Sequence, residues 1–246
     1  MKTQTKLGTL AISLTIALAG CSGATQNTHP HDMSAEEHTA AAEKEEAAAQ
    51  AHQDQYTSSA RKEQEACDSS TDASGINICW TEVVNPTEEH KEKADRHRDL
   101  AAKHRAASLA LVQAEESACE GVSESDRSMS PFAHTGDVLK VSQIIRGEDR
   151  RTTPASALSD QGVEIVFKAV PGLTRERLQD LVDCHIARNA ALGHKVPEMP
   201  YCPLVPRDVT AVVGTFKDGF VIRVTSSDDK VAAELWERAQ LIKPEG

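Results

Sequence analysis

Apolar and polar positions divide the chain into two unlike halves. From about Ser34 to Ala66 the chain is dominated by Ala, Glu, Gln and Lys. These are strong helix formers, and Ser34 followed by Glu37 has the spacing of a capping box, so the stretch predicts a helix. Residues 68–79 are rich in Asp, Ser and Thr around Gly75 and read as a loop. A second helical run extends from Thr87 to Ala118, with Pro86 before its first turn and Gly121 just past its end. Two helices joined by a loop of about 20 residues predict a helical hairpin over 34–120. Its seam is thin. With His90 at heptad position a, the a positions are His90, His97, His104, Leu111 and Ala118, and the d positions are Lys93, Leu100, Ala107 and Ala114. Only the C-terminal part of that helix carries an apolar stripe, so its first half is expected to extend into solvent.

Residues 121–136 carry Ser, Asp, Gly and Pro131 and read as a linker to a module over 137–246. There the pattern alternates. Val163–Val170 (VEIVFKAV) predicts a strand, and Pro171-Gly172-Leu173-Thr174 turns into a helix over 174–192. Asp208–Phe216 and Phe220–Thr225 predict two strands joined across Lys217-Asp218-Gly219, a hairpin signal. Ser226 or Ser227 is placed to cap a last helix, with Val231, Leu235, Ala239 and Ile242 on one face. The order β-α-β-β-α is a ferredoxin-like arrangement short of its last strand. Residues 138–145 (VLKVSQII) fit either a substitute strand or a helical turn. The expected class is therefore α+β, a helical hairpin followed by a small ferredoxin-like module.

Composition sharpens the division. Of eight aromatic residues, six lie beyond residue 130 (Phe132, Phe167, Tyr201, Phe216, Phe220 and Trp236), which puts the core in the C-terminal half. A net charge of −11 leaves no basic face for phosphates and argues against nucleic acid as a partner.

The first residues carry an address. Lys2 and Lys6 precede an apolar run from Leu7 to Leu18, too short to span a bilayer, which takes about 20 residues. Leu18-Ala19-Gly20-Cys21 then resembles the lipobox of bacterial prolipoproteins. The resemblance implies removal of signal residues 1–20, acylation of Cys21, a polar tether over 21–33, and anchoring in the lipid bilayer of the cell envelope. Ser22 in place of Asp implies the outer membrane, facing the periplasm. Loss of Lys2 and Lys6 makes the mature chain two charges more acidic, so acyl chains rather than a polybasic patch must hold it there.

Export sets the cysteine chemistry. Cys67, Cys79, Cys119, Cys184 and Cys202 remain after Cys21, an odd number in a compartment that oxidises suitable pairs. Cys67 and Cys79 fall at the same end of the hairpin, where a bond would tie its turn. Cys184, His185, His194, Met199 and Cys202 fall within one short segment. Thiolate, imidazole and thioether suit copper(I), and zinc accepts the Cys and His members. The competing reading is a Cys184–Cys202 disulfide over packed Met199 and Tyr201, which an oxidising compartment favours. His185 shares a helical face with Leu178, Leu181, Val182 and Asn189, which reads as a core histidine with Asn189 as partner.

Histidines also recur by sevens. His90, His97 and His104 lie on one stripe, and His31, His38 and His52 share a register with Glu45 in the gap. Facing stripes would bind transition metals or form a pH-sensitive seam. Imidazoles seven apart on one helix do not converge on one ion, which favours a solvated face instead.

No GxSxG, P-loop glycine cluster or HExxH is present, and His134 has no evident partner, so no enzyme chemistry is expected. In outline 163–242 resembles the heavy-metal-associated domains of copper chaperones. Those carry CxxC after the first strand, where this chain has Val170-Pro171-Gly172-Leu173, so their ligands do not carry over. The expectation is a non-enzymatic envelope lipoprotein that presents a binding module, engaging an envelope protein or ligand through its sheet or the 193–206 loop. A periplasmic copper or zinc protein is the alternative. A structural tether similar to the murein lipoprotein is a third reading, although this chain ends Lys243-Pro244-Glu245-Gly246 instead of in a cross-linkable lysine.

Overall fold

The computed structural model describes residues 27–67, 79–145 and 161–242. Cys21, the expected signal segment and the start of the expected tether lie outside them.

Helix α1 spans Ala35–Gln53 and starts as its sequence predicts. The Glu37 N–H donates to Ser34 Oγ (3.1 Å) and the Ser34 N–H donates to the Glu37 carboxylate (2.9 Å). The helix does not run to Ala66. It ends at the Asp54 C-cap, and Lys62–Cys67 forms strand β1, paired antiparallel with β2 (Cys79–Val84). Two forces override the helical propensity of KEQEAC. The partner CWTEVV is β-branched and aromatic, and Cys67 and Cys79 are joined by the expected disulfide at the end of the ladder. Asn85 Nδ2 donates to the Thr57 carbonyl and the Thr57 N–H donates to Thr87 Oγ1, which fixes the chain between helix and hairpin.

Helix α2 (Glu88–Ala118) lies antiparallel against α1 from about His90 to Ser108, and its last turns continue past α1 toward α4. Its first half is not in solvent. Ala94 and Ala101 are fully buried, as are Ala42 and Ala49 of α1, and Ala107 and Leu111 continue the stripe. A heptad frame that looks for large apolar residues misses this seam. It closes because alanines let the backbones approach, with imidazoles filling the remaining width.

Residues 121–136 are no free linker. Ser123 caps a short helix α3 (Glu124–Ser128), Arg127 donates to the carbonyls of Cys119 and Val122, and Phe132 is fully buried in the C-terminal core. The strand reading of 138–145 holds. Val138–Ile144 is β3, an edge strand antiparallel to β4 (Gln161–Phe167) with a bulge between Val138 and Lys140. The sheet order is β3-β4-β6-β5, with β5 at Thr210–Phe216 and β6 at Gly219–Ser226. This is a ferredoxin-like sheet whose outer strand comes from the front of the module. The β5–β6 turn is Lys217-Asp218, with Lys217 at φ +52°, and Gly219 already pairs with Phe216. Helices α4 (Arg175–Ala191) and α5 (Asp229–Ala239) pack on the sheet. Asp228, not Ser226 or Ser227, caps α5, its carboxylate accepting from the N–H groups of Lys230 and Val231. Val163, Ile165, Ala211, Val213, Ile222 and Val224 alternate inward to meet Leu178, Val182 and Leu235.

Hairpin and module are tied together. The α2 C-terminus docks on α4, Arg188 pairs with Glu115 at 3.2 Å, and Lys195 pairs with Glu37. Gly193, at φ +67°, lets the end of α4 approach Ser34 so closely that a Cβ there would lie 2.9 Å from the Ser34 nitrogen. The predicted stalk is half of a joined body.

Candidate functional site

The cysteine cluster does not assemble as a donor set. Cys184 is bonded to Cys119, at the α2 C-cap, and not to Cys202. The α2–α4 contact brings those two sulfurs together, and a sulfur in a disulfide is unavailable to a metal. Cys202 is the free cysteine among the described residues. It is fully buried beside Ser130, and burial pushes its thiol up, away from the reactive thiolate. His185 is buried and donates from Nε2 to the Asp126 carbonyl at 2.9 Å. Desolvation holds it below the usual imidazole range. Asn189 is not its partner, since the amide donates to the Leu204 carbonyl at 2.9 Å. His194 donates from Nδ1 to the Val205 carbonyl at 2.7 Å, while its buried Nε2 meets no partner among the described residues. Met199 packs against the core. The loop expected to bind instead folds inward, with Val196, Cys202, Leu204 and Val205 buried. Among the described residues, the one group of acidic, Cys and His ligand atoms close enough to share an ion is Glu65, Cys67 and Cys79, whose sulfurs are already bonded to each other.

His134 stands at the rim of a cavity of about 140 Å³, lined by Asp126, Asp137, Phe167 and Leu181. The lining is mostly apolar, with Ser130 also facing the cavity.

The imidazoles of the hairpin are where the structure departs furthest from expectation. They form a seam and not a solvated face. Each rung of the antiparallel helix pair is one heptad from the next: His38 faces His104, Glu45 faces His97, and His52 faces His90. In the first rung both rings are buried and their Nδ1 atoms lie 3.0 Å apart. His38 Nε2 faces the carbonyls of His29 and Pro30 at 3.1 and 3.3 Å, so it must carry a proton and donate. In the neutral pair His104 Nδ1–H therefore donates to His38 Nδ1. Protonating both rings would turn that bond into a contact of two cations. Burial, and then the His38 charge, hold His104 below the usual imidazole range.

In the second rung His97 Nδ1–H donates to Glu45 Oε2 at 2.6 Å. In the third, the Nδ1 atoms of His52 and His90 are 3.3 Å apart. The His52 ring lies between two partners, its centroid 5.5 Å from both His90 and His97 and stacked on the latter at 16°. Burial, followed by the charges of His97, His90, Lys93 and Arg96, pushes His52 down. Glu45, His52, His90 and His97 are only partly buried and remain open to water. The sequence carried a usable signal for this seam. Ala42 and Ala49 stand four residues after His38 and Glu45, and Ala94 and Ala101 four after His90 and His97, which marks the stripe as a contact.

Comparison of the chain with protein-family models, curated proteins and solved structures finds no match.

Proposed function

We propose that this chain is a non-enzymatic lipoprotein of the cell envelope, acylated on Cys21, that presents one disulfide-tied α+β body to the periplasm for binding. The observation that supports this reading best is the Cys119–Cys184 bond. Together with Cys67–Cys79 it puts four of the five cysteines that follow Cys21 in bonds that persist in an oxidising compartment, and the fifth is buried in the core. Lipobox and disulfides are separate signals for the same address. The test is palmitate labelling of producing cells with fractionation of the envelope. Label on the chain that vanishes in Cys21→Ser, with accumulation of the unprocessed precursor, is the expected result. Label retained by Cys21→Ser, or a soluble unlabelled wild-type chain, overturns the proposal.

A metal-handling role is the second reading, and the facing imidazoles favour it. Its donors are not the copper(I)-type thiolates and thioether expected from the sequence, because Cys184 is bonded and Cys202 and Met199 are packed away. The nitrogen donors of the hairpin take their place.

A further inference from the structure

We propose that the cavity between the start of α4 and the segment 126–137 binds one small aromatic amine, its ring inside and its ammonium against Asp126 and Asp137. The inference rests on the binding reading above and names a site and a ligand class for it. It makes no use of the lipid anchor or of the histidine seam.

Size sets the first limit. The space is about 140 Å³. An apolar cavity of roughly 150 Å³ takes one benzene ring, so a single ring fits here. Phe167 and Leu178 are the most buried of its apolar lining, with Val170 and Leu181 beside them. The Phe167 ring is backed by the fully buried Phe132 at a centroid distance of 5.9 Å. It is therefore a fixed surface against which an aromatic ligand can pack edge to face or offset.

Charge sets the second limit. Asp126 and Asp137 line the cavity, and no lysine or arginine does. That lining repels an anion and favours a cation or a hydrogen-bond donor. One oxygen of each carboxylate is already paired with a cation outside the lining. Arg177 meets Asp126 Oδ2 at 3.3 Å, and Lys168 meets Asp137 Oδ1 at 2.9 Å. The second oxygen of each has no partner among the described residues, which leaves two acceptors for an ammonium. Because Arg177 and Lys168 offset the carboxylates at a distance, the attraction acts at contact range, and the buried ring supplies the rest.

The walls stand ready before a ligand arrives. His185 Nε2 donates to the Asp126 carbonyl, Arg177 donates to the Gly121 carbonyl and Lys168 Nζ donates to the Gly136 carbonyl, each at 2.9 Å. These bonds pin both ends of the segment over α4 and the end of β4, so binding has little backbone to order. Met129, 43% exposed, is left as an adaptable side chain at the open end.

The test titrates the purified full chain, labelled with carbon-13 at its methionine methyls, with benzylamine at neutral pH. Neutral benzyl alcohol and anionic benzoate are the matched probes. The expected result is a saturable shift of the Met129 methyl with a Kd of about 1 mM or tighter. The Met33 and Met199 methyls, which lie outside the lining, should not move. Benzyl alcohol should bind at least about threefold more weakly, since a charge-assisted hydrogen bond is the stronger one, and benzoate should not bind. Asp126→Asn/Asp137→Asn should reduce benzylamine to the affinity of benzyl alcohol. Val170→Phe puts a ring into the cavity from a loop and should abolish binding of both. The proposal is overturned by the absence of a saturable Met129 shift, by benzyl alcohol or benzoate binding as tightly as benzylamine, or by binding that survives Val170→Phe. Should Val170→Phe fail to fold, nuclear Overhauser contacts in the wild type decide. Contacts from the benzylamine ring to the Met129 methyl support the cavity, and contacts to Met33 or Met199 alone overturn it. Palmitate labelling and benzylamine binding can fail independently, so the two proposals are distinguishable.

Discussion

Hairpin and module close their interiors with different materials. In the module Phe132, Ile165, Leu204, Ile222 and Leu235 are completely buried, each a large apolar side chain contributing about 1.5–3 kcal/mol by leaving water. In the hairpin the buried apolar positions are alanines (Ala42, Ala49, Ala94, Ala101 and Ala107) with Leu111 and Cys119 toward the end of α2, and His38 and His104 fill space that leucines occupy elsewhere. An alanine offers a small fraction of that transfer free energy. A buried imidazole must first have its hydrogen bonds satisfied before it contributes at all. The module is thus held by packing, and the hairpin by hydrogen bonds, a disulfide and its attachment to the module. A seam built this way stays chemically responsive where an apolar core would not.

The strongest way to break this comparison is to cut the attachment. Cys119 and Cys184 are separated by 65 residues, and closing a loop of that length corresponds to roughly 4 kcal/mol in the chain-entropy model, an upper figure for engineered or removed bonds. Cys119→Ser/Cys184→Ser should therefore lower stability in urea more than Cys67→Ser/Cys79→Ser, whose separation of 12 corresponds to about 3 kcal/mol. The two losses should also differ in place. Trp80 stands in β2 and Trp236 in α5, so single-Trp variants report on one region each. Removing the long-range bond should move both transitions, and removing the local one only that of Trp80. Equal shifts at both tryptophans in both variants would show that the two regions unfold as one unit.

A smaller effect tests what fills the seam. The neutral His38–His104 pair has one proton between its Nδ1 atoms, and His104 also lies near Glu45 while His38 faces the carbonyls of His29 and Pro30. His104 is held below its ordinary pKa, so in acid the unfolded chain binds more protons than the folded one. Its stabilisation is complete above about pH 6.5 and declines as pH falls below that value. His185 and His194 are shifted the same way, so the module has a slope of its own. His38→Leu/His104→Leu should flatten the acid slope reported by Trp80 and leave that of Trp236 unchanged. At neutral pH the single change His104→Leu should cost about 1–3 kcal/mol, because it leaves His38 Nδ1 without a partner, and the double change should cost less. An unaltered Trp80 slope in the double variant would show that the pair does not control the hairpin.

How much of this was legible in the sequence depended on the same difference of material. The module could be read because VEIVFKAV and DVTAVVGTF alternate at the period of a strand and an Asp-Gly follows. VLKVSQII stayed ambiguous until β4 offered it an edge. Lys62–Cys67 was misread because its propensity is helical, and only a distant partner and a disulfide make it a strand. The partner of Cys184 was not legible at all, since it depends on the end of α2 docking on α4. In the hairpin both histidine stripes were visible, but nothing local to either helix says that they face each other. That fact lives in the antiparallel register.

The smallest effect concerns the seam's outer edge, where Glu37 pairs with Lys195 across the two regions. Lys195 and the Ser34 N–H together hold the Glu37 carboxyl at about 2, well below its ordinary range. Lys195 is 67% and Glu37 39% exposed, so screening limits the pair to about 1 kcal/mol or less. The sign is opposite in window to that of the histidines. A lowered carboxyl stabilises the fold above its unfolded pKa of about 4.3, and that stabilisation is lost as pH falls toward 2. Glu37→Gln keeps an acceptor for the capping box and removes only the charge. It should therefore lower the Trp80 transition by the same small amount throughout pH 8 to 6 and reduce the loss of stability between pH 5 and 2. Lys195→Gln should do the same, which a purely local capping role for Glu37 would not produce. A Glu37→Gln variant that is destabilised equally at every pH would assign the residue to the cap alone and leave the disulfide, the Arg188–Glu115 pair and the Gly193 contact as the ties between hairpin and module.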